Sequence, residues 1–217
     1  MIDSYFSIEE VSEGEYKEKG SKFLAYAYPF DHEDQLSGRL AEIHDLHPKA
    51  RHYCYAYKVG TDGNNFRFND DGEPSGTAGR PILGQIESQE ITNTLVIVVR
   101  YFGGTKLGVP GLIHAYKEAA HCALIDSTKV QKFLYQTFDV TSDFDLVGPL
   151  MNIFNKLPII ISEQSYDDMC HFLIKVRKSL ADETIKRLKG ELLNRPLSDI
   201  QDDDIVPGLH ILSVTSD

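Results

Sequence analysis

Apolar and polar positions along this chain fall into two successive patterns, the first mixing long strands with glycine-rich loops and the second alternating strands and helices more regularly. From Ser21 to Phe30 (SKFLAYAYPF) an aromatic-rich stretch sets Phe23, Ala25 and Ala27 on one side and predicts a strand closed by Pro29. Asp31 is placed to cap a following helix, which carries Leu36, Leu40, Ile43 and Leu46 or His47 at helical spacing until Pro48 stops it. Arg51 to Val59 alternates, with Tyr53, Tyr55, Tyr57 and Val59 on one face and His52, Cys54, Ala56 and Lys58 on the other. The turn-rich Gly60 to Asn65 returns the chain through Phe66 to Phe68. After the loop DDGEPSGTAG, Pro81 suits a first helical position and predicts a short helix to about Glu87. Thr94 to Tyr101 (TLVIVVRY) is a β-branched run that predicts a strand buried on both faces. The loop FGGTKLG then leads to a helix opened by Pro110, with Leu112, Tyr116, Ala119 and Ala123 on its apolar side.

From Lys132 onward the order changes. Strands over Phe133–Val140, Ile159–Ser162, Met169–Val176 and Leu209–Val214 are interleaved with helices over Leu146–Asn155 and Asp182–Asn194. This βαββαβ order predicts a ferredoxin-like unit, an antiparallel sheet with two helices on one face. An α+β protein of two domains follows, residues 1–128 and 132–217, joined within the polar segment Asp126–Gln131.

Composition narrows the class. Hydrophobic residues at 41% and charged residues at 25% are enough for a true core. No apolar stretch approaches the roughly 20 residues of a membrane helix, and MIDSYFSIEE lacks the features of a secretion signal, so a cytoplasmic protein without membrane contact is expected. Cys54, Cys122 and Cys170 form no CxxC pair and predict buried, reduced thiols. The formal charge of −11 excludes a protein that coats nucleic acid over its whole surface. Up to Asp126 there are 12 basic and 19 acidic residues, and afterwards 10 and 14, so any site for a polyanion must be local.

The two glycine loops hold the candidate chemistry. Each joins a strand to a helix, and free amides at a helix start attract phosphate or carboxylate. Ser75 and Thr77 add hydroxyls to the first loop, Gly79 and Arg80 end it, Arg100 closes the central strand, and Gly103, Gly104 and Lys106 lie in the second loop. The expectation is that both helix starts converge, with these cations, on one anionic guest. Tight turning alone would use the same glycines. Neither loop is a Walker A sequence or a GxGxxG fingerprint, and no cofactor is expected.

These same stretches carry a family resemblance. DDGEPSGTAGRPIL and VVRYFGGTKLGVPGLIHAY resemble the signature motifs of the IMPACT (YigZ-like) family, as do KGSKFLAYA and ARHYCYAY, and the similarity spans about Tyr16 to Leu124. The resemblance implies an N-terminal domain similar to the second domain of a small-subunit ribosomal protein, and a C-terminal domain similar to the last domain of elongation factor G. It also implies a link to translation, with RNA, the ribosome or a protein as partner. The site residues it carries over are His52, Asp70, Asp71, Glu73, Ser75, Thr77, Arg100, Gly103, Gly104, Lys106 and Tyr116. Many relatives have Gly where this chain has Pro110 and Arg where it has His114, which weakens the cationic end of the site because histidine is mostly neutral near pH 7.

His114, Lys117 and His121 share a polar helix face without the ligand spacing of a metal site, although His114, near the helix start, remains a candidate binding residue. Asp70, Asp71 and Glu73 have the oxygens that a hard cation takes, yet as turn and capping residues they suit a rigid loop better, so no metal is expected. The tyrosine stripe Tyr53, Tyr55 and Tyr57 suits core packing better than base stacking. A non-enzymatic binding or regulatory protein of translation is therefore expected. The alternatives are an enzyme acting on a phosphorylated small molecule or nucleotide, and a pure protein-interaction module.

Overall fold

Small and large side chains alternate along the strands of the first unit, and that alternation sets how its layers stack. A computed structural model describes residues 3–214. Its strands are β1 (Ser4–Ile8), β2 (Ser12–Glu18), β3 (Ser21–Pro29), β4 (His52–Val59), β5 (Asn65–Asn69), β6 (Thr94–Tyr101), β7 (Lys129–Phe133), β8 (Tyr135–Ser142), β9 (Ile159–Tyr166), β10 (Cys170–Arg177) and β11 (Leu209–Val214). Its α-helices are α1 (Gln35–Leu46), α2 (Gly79–Ser88), α3 (Gly108–Ile125), α4 (Val147–Lys156) and α5 (Ala181–Leu193). The chain divides into two units, residues 5–132 and residues 133–214 together with 3 and 4. The outer ends of the two expected domains, residues 1–2 and 215–217, lie outside the described residues.

The first unit is built on a five-stranded sheet of order β2-β3-β6-β4-β5, antiparallel throughout. β6 lies at its centre and is buried along nearly its whole length, as its β-branched run predicts. One face presents Phe23, Ala25, Ala27, Cys54, Ala56, Val96 and Val98 to α2 and α3, which answer with Ile82, Ile86, Leu112, Tyr116, Ala119 and Ala123. Small residues on that face let the helices come close. At Gly14 an added Cβ would lie 2.3 Å from the Ala123 backbone nitrogen, so only glycine allows β2 to meet α3 there. The opposite face carries Tyr26, Tyr28, Tyr53, Tyr55 and Tyr57, packed with Ile43, Leu36 and Leu40 of α1. The tyrosine stripe is core: Tyr53, Tyr55 and Tyr57 are 6%, 6% and 2% exposed.

The second unit has a four-stranded sheet of order β11-β8-β10-β9, every neighbouring pair antiparallel. This is the ferredoxin-like arrangement, and Phe138, Val140, Phe172, Ile174 and Val176 face Leu150, Ile153 and Phe154 of α4 and Leu188 of α5.

Several local expectations differ from the structure. α2 and α3 begin at Gly79 and Gly108, so Pro81 and Pro110 are third rather than first helical residues. Proline is tolerated there because the first-turn amides have no partner within the helix. Asp31 does not cap α1, which starts at Gln35; its carboxylate accepts a 3.0 Å bond from Asn93 instead. β1, β2 and β7 are additional to the sequence-based elements. β7 occupies part of the segment read as a linker and pairs with β1.

Candidate functional site

Cross-strand register brings the candidate residues to one end of the helix-covered face. Arg100 on β6 is paired with Phe23 on β3 and with His52 on β4, and all three share the face covered by α2 and α3. The two glycine loops arrive at this end because α2 and α3 both start there. What each loop does with its helix start is different.

In the first loop the free amides are taken by the protein itself. Asp70 accepts hydrogen bonds from the amides of Gly76 (2.8 Å) in the loop and of Ala78 (2.9 Å) and Gly79 (2.8 Å), the N-cap and first residue of α2. A carboxylate at a helix N-terminus satisfies both the orphan donors and the dipole. The expected convergence of two free helix starts on an external anion therefore does not occur: the α2 start is filled. Asp71 accepts a 2.7 Å bond from the Tyr53 amide, and Thr77 donates to the Pro74 carbonyl at 2.6 Å. Gly79 is required by space, since a Cβ would lie 2.7 Å from the Asn69 nitrogen. Ser75 and Arg80 are exposed and lie outside the cleft described below.

Glu73 links this loop to the core. Its Oε1 lies 2.6 Å from Arg100 Nη1 and accepts a 2.9 Å bond from the Tyr116 hydroxyl. The Arg100 and Glu73 side chains are 8% and 4% exposed. The guanidinium also lies over Phe23 and Phe102, 5.5 and 5.6 Å from the ring centroids, a favourable placing for a cation. The Cys54 sulfur lies 3.0 Å from the Asp70 carbonyl and 3.3 Å from the Tyr116 hydroxyl. Burial pushes the titration of both Cys54 and Tyr116 well up, so thiol and phenol stay protonated and act as structural donors.

The second loop behaves otherwise. Gly103 is pressed against the Gly20 turn, where a Cβ would meet Gly20 backbone atoms at 1.9 Å, and its amide donates to Ser21 Oγ at 3.1 Å. Gly104 needs its positive φ of 87° and has open space around it. Leu107, the N-cap residue of α3, has no side-chain oxygen with which to cap it. Beside that start is a cleft of about 490 Å³. His52, Glu73, Arg100 and Lys106 line it, as do Arg51, Pro74, Phe102, Leu107, Val109 and Leu112, none of the latter a site residue expected from the sequence. The signals were present for two of them: Phe102 is an aromatic residue flanking a glycine pair, and Arg51 opens an alternating strand. His52 Nδ1 lies 2.9 Å from the Asp71 carbonyl, which can only accept, so the proton sits on Nδ1.

Tyr116 is wholly buried and acts through Glu73 rather than on the cleft surface. His114 lies outside the cleft lining, 3.9 Å from Glu118 and edge-on to Tyr16. Among the described residues no group of His, Cys, Asp and Glu is arranged to hold a metal ion, and no helix is long and apolar enough to cross a membrane.

The residues that build this end of the sheet fall in a matched segment. The Impact N-terminal domain matches residues 19–124. The IMPACT family member YvyE of Bacillus subtilis is 32% identical over 172 residues, 79% of each chain, and a Haemophilus influenzae IMPACT family member is 31% identical over 182 residues, 82% of this chain and 85% of its own. A crystal structure of a hypothetical protein superposes with a TM-score of 0.71 over the whole of both chains at 22% identity, a likeness of fold. With a matched N-terminal domain and relatives 31–32% identical over about four-fifths of its length, the chain belongs to the IMPACT family.

Proposed function

We propose that this chain is a non-catalytic, translation-linked binding protein of the cytosol. Its partner, whether RNA, the ribosome or another protein, engages the first unit at the start of α3. The observation that carries this reading is the local charge of the cleft. Arg51, Arg100 and Lys106 line it against the single carboxylate of Glu73, in a chain whose formal charge is −11. A positive recess in an acidic protein selects and orients a negatively charged group. Within the proposed binding surface, Asp70, Asp71 and Glu73 shape the first loop, while His52, Arg100 and Lys106 face the partner.

The carboxylates are what an enzymatic reading would need, and each is engaged. Asp70 holds three amides, Asp71 holds the Tyr53 amide, and Glu73 holds Arg100 and Tyr116. None is left poised as a base for a phosphorylated small molecule, which favours binding over catalysis. The link to translation rests on family membership and on the resemblance of the two loops.

Co-sedimentation of the full chain with ribosomal subunits across a salt series tests this. Binding should fall steeply as salt rises and should drop about tenfold or more in the Arg51→Ala/Lys106→Ala variant. Sedimentation equal in wild type and variant would refute the role of the cleft.

A further inference from the structure

The cleft combines two chemistries that point to the kind of guest it takes. One wall is hydrocarbon: Phe102 and Val109 are 59% and 52% exposed, with Pro74, Leu107 and Leu112 beside them. The other is cationic, from Arg51, Lys106 and the deeply set Arg100. Arg100 is 8% exposed, and its Nε is buried with no hydrogen-bond partner although Nη1 is paired with Glu73. At the edge of the cleft α3 begins, 18 residues long, and its N-cap Leu107 offers no capping oxygen. Leu107, Gly108 and Val109 line the recess, so the amides of Gly108 and Val109 and the positive end of the dipole lie beside it, Pro110 having no N–H.

We propose that the cleft captures the C-terminal end of a protein partner, with the last, apolar side chain against Phe102 and Val109 and the terminal carboxylate at the start of α3 beside Lys106 and Arg51. This deepens the binding role proposed above and rests on it. A carboxylate at helix-start amides beside a lysine and an arginine is stabilised by charge-assisted hydrogen bonds. The apolar wall supplies the affinity that a lone carboxylate lacks. Because its proton is fixed on Nδ1 by the Asp71 carbonyl, His52 keeps an acceptor at Nε2, the complement of a peptide N–H near the terminus.

A polynucleotide fits less well on two counts. It needs a run of cations along its path, whereas the chain up to Asp126 carries 12 basic against 19 acidic residues, so the positive field is confined to the cleft. Single-strand platforms also stack successive bases on several rings, whereas this cleft offers one, Phe102.

The test is fluorescence anisotropy on the full chain with short labelled peptides ending in Val, Leu, Ile or Phe, each as the free acid and as the C-terminal amide. At least one free acid should bind about tenfold more tightly than its amide. The Arg51→Ala/Lys106→Ala variant should lose that preference with its thermal midpoint unchanged, since both side chains are exposed. Equal binding of acid and amide, no binding by any free acid, or displacement of every peptide by a short single-stranded RNA of higher affinity would overturn the proposal. The two levels separate cleanly. If the double variant still loses ribosomal co-sedimentation while no free acid binds, the terminus assignment falls and the binding role stands; if sedimentation is also unchanged, both fall.

Discussion

The two glycine loops of the first unit share a plan and differ in outcome. Each follows a strand, turns through glycines and opens a helix whose third residue is proline. In the first, Asp70 reaches forward six to nine residues and occupies a loop amide and the two that open α2. The second has no acidic residue between Tyr101 and Lys117, and α3 is left without a side-chain cap among the described residues. A helix start offers free amides in both places, and at α2 an internal carboxylate takes them. One loop serves as architecture, and the other supplies one edge of a cleft.

The sharpest way to break this contrast is at Glu73, which ties the architectural loop to Arg100 on β6 and to Tyr116 on α3. Glu73→Ala should cost about 3–5 kcal/mol in denaturant unfolding, because it leaves a guanidinium buried without its counter-charge. A loss below about 1 kcal/mol would mean that Arg100 escapes to solvent and that the loop is not anchored through it.

Next in size is Asp70→Ala, which frees three amide donors, the loop amide of Gly76 and two at the helix start on the buried residues Ala78 and Gly79. The expected cost is about 2–3 kcal/mol, with Asp70→Asn recovering part of it, since an amide oxygen still accepts but carries no charge. In the alanine variant the two loops become alike, both with uncapped helix starts. A second, weaker anion site at α2, seen as phosphate-dependent thermal stabilisation beyond that of the wild type, is the expected companion result. If Asp70→Ala is stable and shows no such site, the difference between the loops has another origin.

How much of this was legible in the sequence follows the same division. The βαββαβ order of the second unit and the central strand β6 were readable because their hydrophobic runs are long and their periods unambiguous. β1 and β2 were missed because residues 4–18 are mostly polar or half-exposed and owe their strand state to pairing and to α3, not to pattern. At the site, the residue types were legible and only some of their roles were. Turn and capping chemistry was readable for Asp70, but which amides its carboxylate reaches, up to nine positions on, depends on how the loop folds back. Phe102, Leu107 and Val109 read as loop and helix residues, and only the tertiary arrangement gathers them with Arg51 around one recess.

The smallest effect is the most discriminating, because its sign separates a structural loop from a binding loop. Lys106 is exposed, has no ion-pair partner within 4 Å among the described residues, and lies just before Leu107, the N-cap of α3. A cation there opposes the positive end of the helix dipole, so the fold gains nothing from it. Lys106→Ala should therefore leave stability unchanged or raise it by about 0.3 kcal/mol, and any gain should fade as salt screens the interaction. The same change should weaken capture of a carboxylate or phosphate. A residue that slightly disfavours its own helix while strengthening a ligand's hold is one kept for the ligand. Thermal melts at low and high salt, run beside the anisotropy titration, decide the point: a clear loss of stability in Lys106→Ala would make the second loop architecture like the first.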